Sequence, residues 1–128
     1  MKVFKFGGAS VKDAEGVRNV AKVLENQGFE SCVLVVSAMG KTTNALEKVV
    51  KEYFEEGDYQ QWIQKIKEEH IGIAGELFEK NHPIFEEIKI IFDQAESFLK
   101  INKSFLKTYF FNKKSNKEEN VKITYPYL

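Results

Sequence analysis

Hydrophobic and polar positions alternate in three textures along this chain. The first, "KVFKF" at Lys2 to Phe6, is a short run rich in valine and phenylalanine that stops at Gly7-Gly8, the pattern of a strand entering a tight turn. Ser10 then stands as an N-cap with Asp13 three residues on in the capping-box position, and Val11, Ala14, Val17, Val20, Ala21 and Leu24 recur at helical spacing up to Gly28. "CVLVVS", Cys32 to Ser37, is a continuous apolar run and predicts a strand covered on both faces, as in a parallel sheet. Leu46, Val49, Val50, Tyr53 and Phe54 stripe a second helix that starts near Thr43 or Asn44 and closes at Gly57. Strand, helix, strand, helix over residues 1–57 is a parallel βαβα unit, so the fold class is α/β.

From Asp58 the pattern is helical only. Asp58 caps a helix carrying Trp62, Ile63, Ile66, Ile71, Ala74, Leu77 and Phe78, with Trp62 read as core. Asn81 to Pro83 breaks it, Pro83 suits the first turn of the next helix, and Ile84, Ile88, Ile91, Phe92, Ala95 and Leu99 stripe that one. Residues 58–103 therefore predict a helical hairpin packed on the βαβα unit, and 1–103 form one domain. Residues 104–128 change texture: an aromatic cluster, a charged polar run, then the alternating Val121, Ile123 and Tyr125. They read as an atypical basic tail, either a disordered segment or an edge strand.

Charge refines this picture. Lysine plus arginine and aspartate plus glutamate both number 19, so the net charge is zero and no global field recruits nucleic acid or an anionic membrane. Seven of the basic residues and only two of the acidic ones lie in 100–128, which sets the tail apart. A single cysteine, Cys32, excludes an intrachain disulfide and multi-cysteine metal sites; it reads as a buried, inert thiol in a reducing compartment. His70 and His82 lie in the helical part with no cluster of cysteine, aspartate or glutamate at ligand spacing, so no metal site is expected. No apolar stretch is long enough for a signal peptide or a membrane span, and the expected location is the cytoplasm.

Two glycine turns, "GGAS" and "SAMGKTTN", each follow a strand and precede a helix. Parallel strands bring both to the carboxyl edge of the sheet, where open α/β folds hold ligands, and each offers N–H groups at a helix N-terminus to an anion. The "GKT" of the second turn is not a P-loop, because the glycine required five residues before Gly40 is Val35. Lys5 shares a strand face with Val3, and a lysine in a covered strand needs an anionic partner; on an edge strand it is simply solvated. Ser37, Thr42 and Thr43 could equally be helix caps, and Lys41 a surface charge.

Together, "KVFKFGGASV" and "VLVVSAMGKTTN" resemble the start of the aspartate kinases, in the amino-acid kinase family, with Ala9 where those proteins usually carry threonine. The resemblance covers about residues 1–100 and implies part of an amino-acid-kinase sandwich. It implies phosphoryl transfer from MgATP to the side-chain carboxylate of L-aspartate, in the biosynthesis of lysine, threonine and methionine. ATP is then a substrate, with Mg2+ held mainly through its phosphates. By position, Lys5 is the catalytic cation and binds ATP phosphate together with Gly7, Gly8 and Ser10, while Ser37, Gly40 and Thr43 bind aspartate.

Residues 104–128 resemble no part of the family's continuation, which supplies a glutamate, an arginine, a catalytic aspartate and the nucleotide-binding half. The 128 residues alone are therefore expected to be inactive. Two other readings stand beside this one: a different amino-acid kinase, such as a glutamate or acetylglutamate kinase, and a non-catalytic interaction fragment. Uncovered sheet edges predict self-association or pairing with a complete kinase. A small unrelated α/β protein that uses its glycines only for packing is a further alternative.

Overall fold

A computed structural model describes residues 1–103 of the chain. The tail and its candidate strand around Val121, Ile123 and Tyr125 lie outside the described residues. The elements run β1 (Lys2–Phe6), α1 (Ala14–Gln27), β2 (Cys32–Val36), α2 (Thr42–Phe54), α3 (Tyr59–Leu77) and α4 (Ile84–Ile101). β1 and β2 pair in parallel with Lys5 opposite Val35 and Phe6 opposite Val36, so the βαβα unit and the helices after it form as the periodicity dictates. The chain divides into two compact units at Glu96/Ser97. In the second, the described residues close α4, where the Asn102 N–H and side-chain amide both donate to the Phe98 carbonyl at 3.1 and 2.9 Å.

The core of the first unit is helical. Val11, Ala14, Val49, Tyr53, Ile63, Ile66 and Ala74 are buried, and they come from the turn before α1, from α1 itself, from α2 and from α3. Arg18 of α1 donates to the Glu76 carbonyl of α3, which ties the first helix to the end of the third. Tyr53 meets Tyr59 edge-on at 5.2 Å across the α2–α3 turn. Along the hairpin, Lys67 lies 3.9 Å from Asp93 and His70 meets Phe92 with ring centroids 6.0 Å apart, pairings that run the two helices antiparallel.

The sheet departs from expectation. β2 was expected to be covered on both faces, yet Val33, Leu34, Val35 and Val36 are each about half exposed. The described helices pack chiefly on one another and not over β2, so its faces stay open; Phe4 and Phe6, stacked at 6.5 Å, are the half-buried residues of β1. Cys32 is likewise half-buried rather than buried, its thiol donating to the Phe29 carbonyl at 3.2 Å. Trp62 is also half-buried and holds two cations, Lys48 and Lys65, at 4.4 and 5.3 Å from the ring centroid. Its ring has a solvent-facing surface on which ammonium groups sit.

Helix ends follow local chemistry more closely than the spacing rules. The cap of α1 is Asp13, whose carboxylate accepts from the Gly16 N–H at 2.8 Å; Ser10 belongs to the preceding turn, so there is no capping box. Gly28 ends α1 at φ +77° and ψ 123°, a positive-φ conformation that glycine adopts without steric cost. α2 starts at Thr42 and ends at Phe54. The Gly57 N–H closes it on the Glu52 carbonyl at 2.8 Å, and the left-handed position is taken by Glu56 at φ +60°, one residue before the glycine. Asp58 caps α3 through Gln61 N–H at 3.1 Å. Pro83 directly precedes α4, and its carbonyl accepts from the Glu87 N–H at 3.2 Å, which closes the first turn of the helix.

If burial governs stability in this way, Ile66→Ala, at a position 1 % exposed, costs about 2–5 kcal/mol. Ile91→Ala, at a position 62 % exposed, changes stability by about 0.5 kcal/mol or less. Urea unfolding of both variants measures the contrast.

Candidate functional site

The two glycine turns meet at the carboxyl edge of the sheet. Past the last ladder pair, the Ser37 N–H donates to the Phe6 carbonyl at 2.9 Å, and three residues on the Gly40 N–H donates to the Gly8 carbonyl at 3.0 Å. The first turn is closed by Ser10 N–H on the Gly7 carbonyl (3.0 Å) and by Val11 N–H on the Gly8 carbonyl (3.3 Å). The Gly8 carbonyl thus accepts from both turns and fastens one to the other.

This junction explains which glycines are required. A Cβ on Gly8 would fall 2.9 Å from the Gly40 carbonyl oxygen and 3.0 Å from that of Ala38, backbone atoms that cannot rotate away. Gly40 has φ +52° and lies against Lys12, whose Cβ and Cα would be 3.6 and 3.7 Å from an added Cβ. Gly7 has open space where a Cβ would go. Gly16 was not singled out in the sequence, yet a Cβ there would meet the Ser10 carbonyl at 2.5 Å. Its signal was available: glycine in a helix costs about 1 kcal/mol relative to alanine, and its presence in the first turn of α1 marks a close approach.

The site residues fall on one edge. Lys5, Gly7, Gly8 and Ser10 lie on β1 and its turn, and Ser37, Gly40 and Thr43 on the turn after β2 and the first turn of α2. Lys5 is exposed and shares its face with Val3, Val33 and Val35. The covered environment that would force it into an ion pair is absent, and among the described residues it forms none. Ser10, Ser37 and Thr43 are exposed. Thr42 donates its hydroxyl proton to the Met39 carbonyl at 2.6 Å, and it lies inside α2, whose cap position is Lys41.

The helix starts at this edge differ electrically. At α1 the Asp13 carboxylate already satisfies an N–H and brings a negative charge. At α2 the cap position is Lys41, which makes no side-chain cap hydrogen bond. Its first turn has no acidic residue, so the partial positive charge of the helix end is reinforced by an ammonium rather than cancelled. Anions are favoured most at the second turn. Among the described residues no three of histidine, cysteine, aspartate and glutamate come together to hold a metal ion, and no helix is long and apolar enough to cross a membrane.

If the Gly8–Gly40 bond holds the turns together, Gly8→Ala costs about 1–3 kcal/mol and speeds hydrogen exchange of the Gly40 amide. Gly7→Ala leaves that amide's exchange unchanged.

Residues 1–110 match the family described as the amino acid kinase family. The chain is 43% identical over 79 residues to aspartokinase 1, chloroplastic, of Arabidopsis thaliana, an alignment covering 59% of this chain and 14% of that protein. It is 35% identical over 95 residues to the aspartokinase of Chlamydia trachomatis serovar D, covering 73% of this chain and 21% of the relative. A bifunctional aspartokinase/homoserine dehydrogenase, chloroplastic, of Daucus carota is 30% identical over 80 residues, covering 62% of this chain and 9% of its own length. The matched region is thus a small part of each relative.

Proposed function

The chain belongs to the amino acid kinase family, and on that premise we propose that its paired glycine turns are the phosphate-facing and acceptor-facing loops of an aspartate kinase. The observation that carries this reading is the hydrogen bond from Gly40 to Gly8, which places two glycine turns side by side at the carboxyl edge of a parallel sheet. The names of the relatives supply the acceptor: they are aspartokinases, so L-aspartate is the substrate proposed for this chain.

In the reaction, a side-chain carboxylate oxygen of aspartate attacks the γ-phosphorus of ATP. The bond from that phosphorus to the bridging oxygen breaks, giving an acyl phosphate and ADP with no proton required. Such chemistry asks a protein for positioning and for cations near developing charge. Lys5 provides the cation, Gly7, Gly8 and Ser10 flank the phosphates, and Ser37, Gly40 and Thr43 flank aspartate beside the uncapped start of α2. Magnesium would be held by the nucleotide's phosphate oxygens. Cys32 suits a reducing compartment, and the cytoplasm is the location proposed.

These residues are mostly exposed, whereas efficient transfer needs water excluded from the acceptor. The described residues therefore form one wall of the site. Self-association, or pairing with a complete kinase, would supply a second wall against the half-exposed β2.

Amide resonances of the 128-residue chain test the reading. MgATP should shift Gly7, Gly8 and Ser10, and L-aspartate should shift Ser37, Gly40 and Thr43 more than L-glutamate does. Lys5→Ala should weaken the nucleotide effect. ADP formation should stay at background with or without aspartate. Unmoved resonances would remove the kinase assignment, a preference for glutamate would transfer it to the runner-up acceptor, and Lys5-dependent turnover would show that one wall suffices.

A further inference from the structure

Lys12 is a cation that the proposed chemistry has not used. It stands at the end of the first turn, but its backbone lies against the second: its Cβ, Cα and carbonyl oxygen would be 3.6, 3.7 and 3.9 Å from a Cβ on Gly40. It is exposed, and it forms no ion pair with another described residue. The adjacent carboxylate, Asp13, is directed to the Gly16 N–H and so serves α1. Lys41 follows Gly40 directly and caps α2 without a side-chain hydrogen bond.

Resting on the aspartate kinase reading, we infer that Lys12 is a second, acceptor-side cation that binds a carboxylate of the incoming amino acid across Gly40. The geometry divides the labour. Lys5 lies on β1, before the phosphate-facing turn, whereas Lys12 is rooted where the two turns touch. A lysine side chain extends on the order of 6 Å beyond its Cα, enough to span Gly40 and reach an anion at the start of α2. There it meets the helix end that carries no compensating carboxylate, so its charge adds to that of the helix terminus. An acceptor with two carboxylates approaching a polyphosphate faces strong like-charge repulsion, and a cation on the acceptor side of the seam offsets it. Glycine at position 40 permits the φ of +52° that turns the second loop past the backbone of Lys12.

Binding to the 128-residue chain, followed by the same amide shifts, tests this with Lys12→Ala, Lys12→Arg and Lys22→Ala. Lys22 is an exposed lysine of α1, so its loss changes net charge equally without touching the seam. Lys12→Ala should weaken L-aspartate about fivefold and leave MgATP within about twofold. Lys12→Arg should retain aspartate binding, Lys22→Ala should resemble the unsubstituted chain, and added salt should narrow the difference. The inference is overturned if Lys12→Ala binds aspartate normally, if it and Lys22→Ala lose binding equally, or if the loss falls on MgATP instead. A chain that binds MgATP and aspartate normally after Lys12→Ala sinks this inference alone; an unsubstituted chain that binds neither sinks the kinase reading and this inference with it.

Discussion

One carbonyl oxygen, that of Gly8, organises the carboxyl edge of the sheet, where the ligand site is proposed. It accepts from Val11 within its own turn and from Gly40 of the other, so the two turns share a single fixed point. The absence of a side chain at Gly8 is what lets the backbones approach. Parallel pairing and the Ser37 bond to the Phe6 carbonyl bring both turns to one edge, and this close approach fixes the spacing between the residues of the first turn and those of the second. The hydrogen bond is modest in energy, about 1 kcal/mol, but it carries positional information because it joins segments that are distant in sequence.

The support for that edge comes from elsewhere. The buried side chains belong to the helices and the turn before α1, while the strands that present the ligand edge remain half exposed. Arg18 on the Glu76 carbonyl and the antiparallel contacts between α3 and α4 brace the first unit without approaching the turns. Stability and chemistry are therefore served by different residues, and a change in the helical core acts on the site only by altering where its scaffold stands.

Much of this was legible in the sequence. The alternation of "KVFKF" and "CVLVV" with helical stripes gave all six elements to within a few residues, because hydrophobic period is dictated by burial. The two glycine turns were legible as a pair because topology sends them to one edge. What escaped had a common cause. The capping role of Asp13, the close approach at Gly16, the engagement of Thr42 and the seat of Lys12 against Gly40 all depend on backbone paths inside turns, which no periodic pattern encodes. The exposure of β2 escaped for a different reason: an apolar run shows that a strand is built to be covered, and it says nothing about whether the covering lies within the described residues.

Among the described residues the buried side chains run from Val11 to Ala74, and this spread dictates an order of assembly. During synthesis, β1 and the first glycine turn leave the ribosome early, but the helix they lean on finds its partner only when Ile63, Ile66 and Ala74 have emerged. Until then the strands are a local pairing with little buried surface behind it, and the ligand edge has no lasting shape. The loops become a site late in the life of the nascent chain, when α3 docks. Translation of residues 58–77 therefore sets when the glycine turns gain a fixed support, while the half-exposed valines of β2 stay open even after α3 has docked.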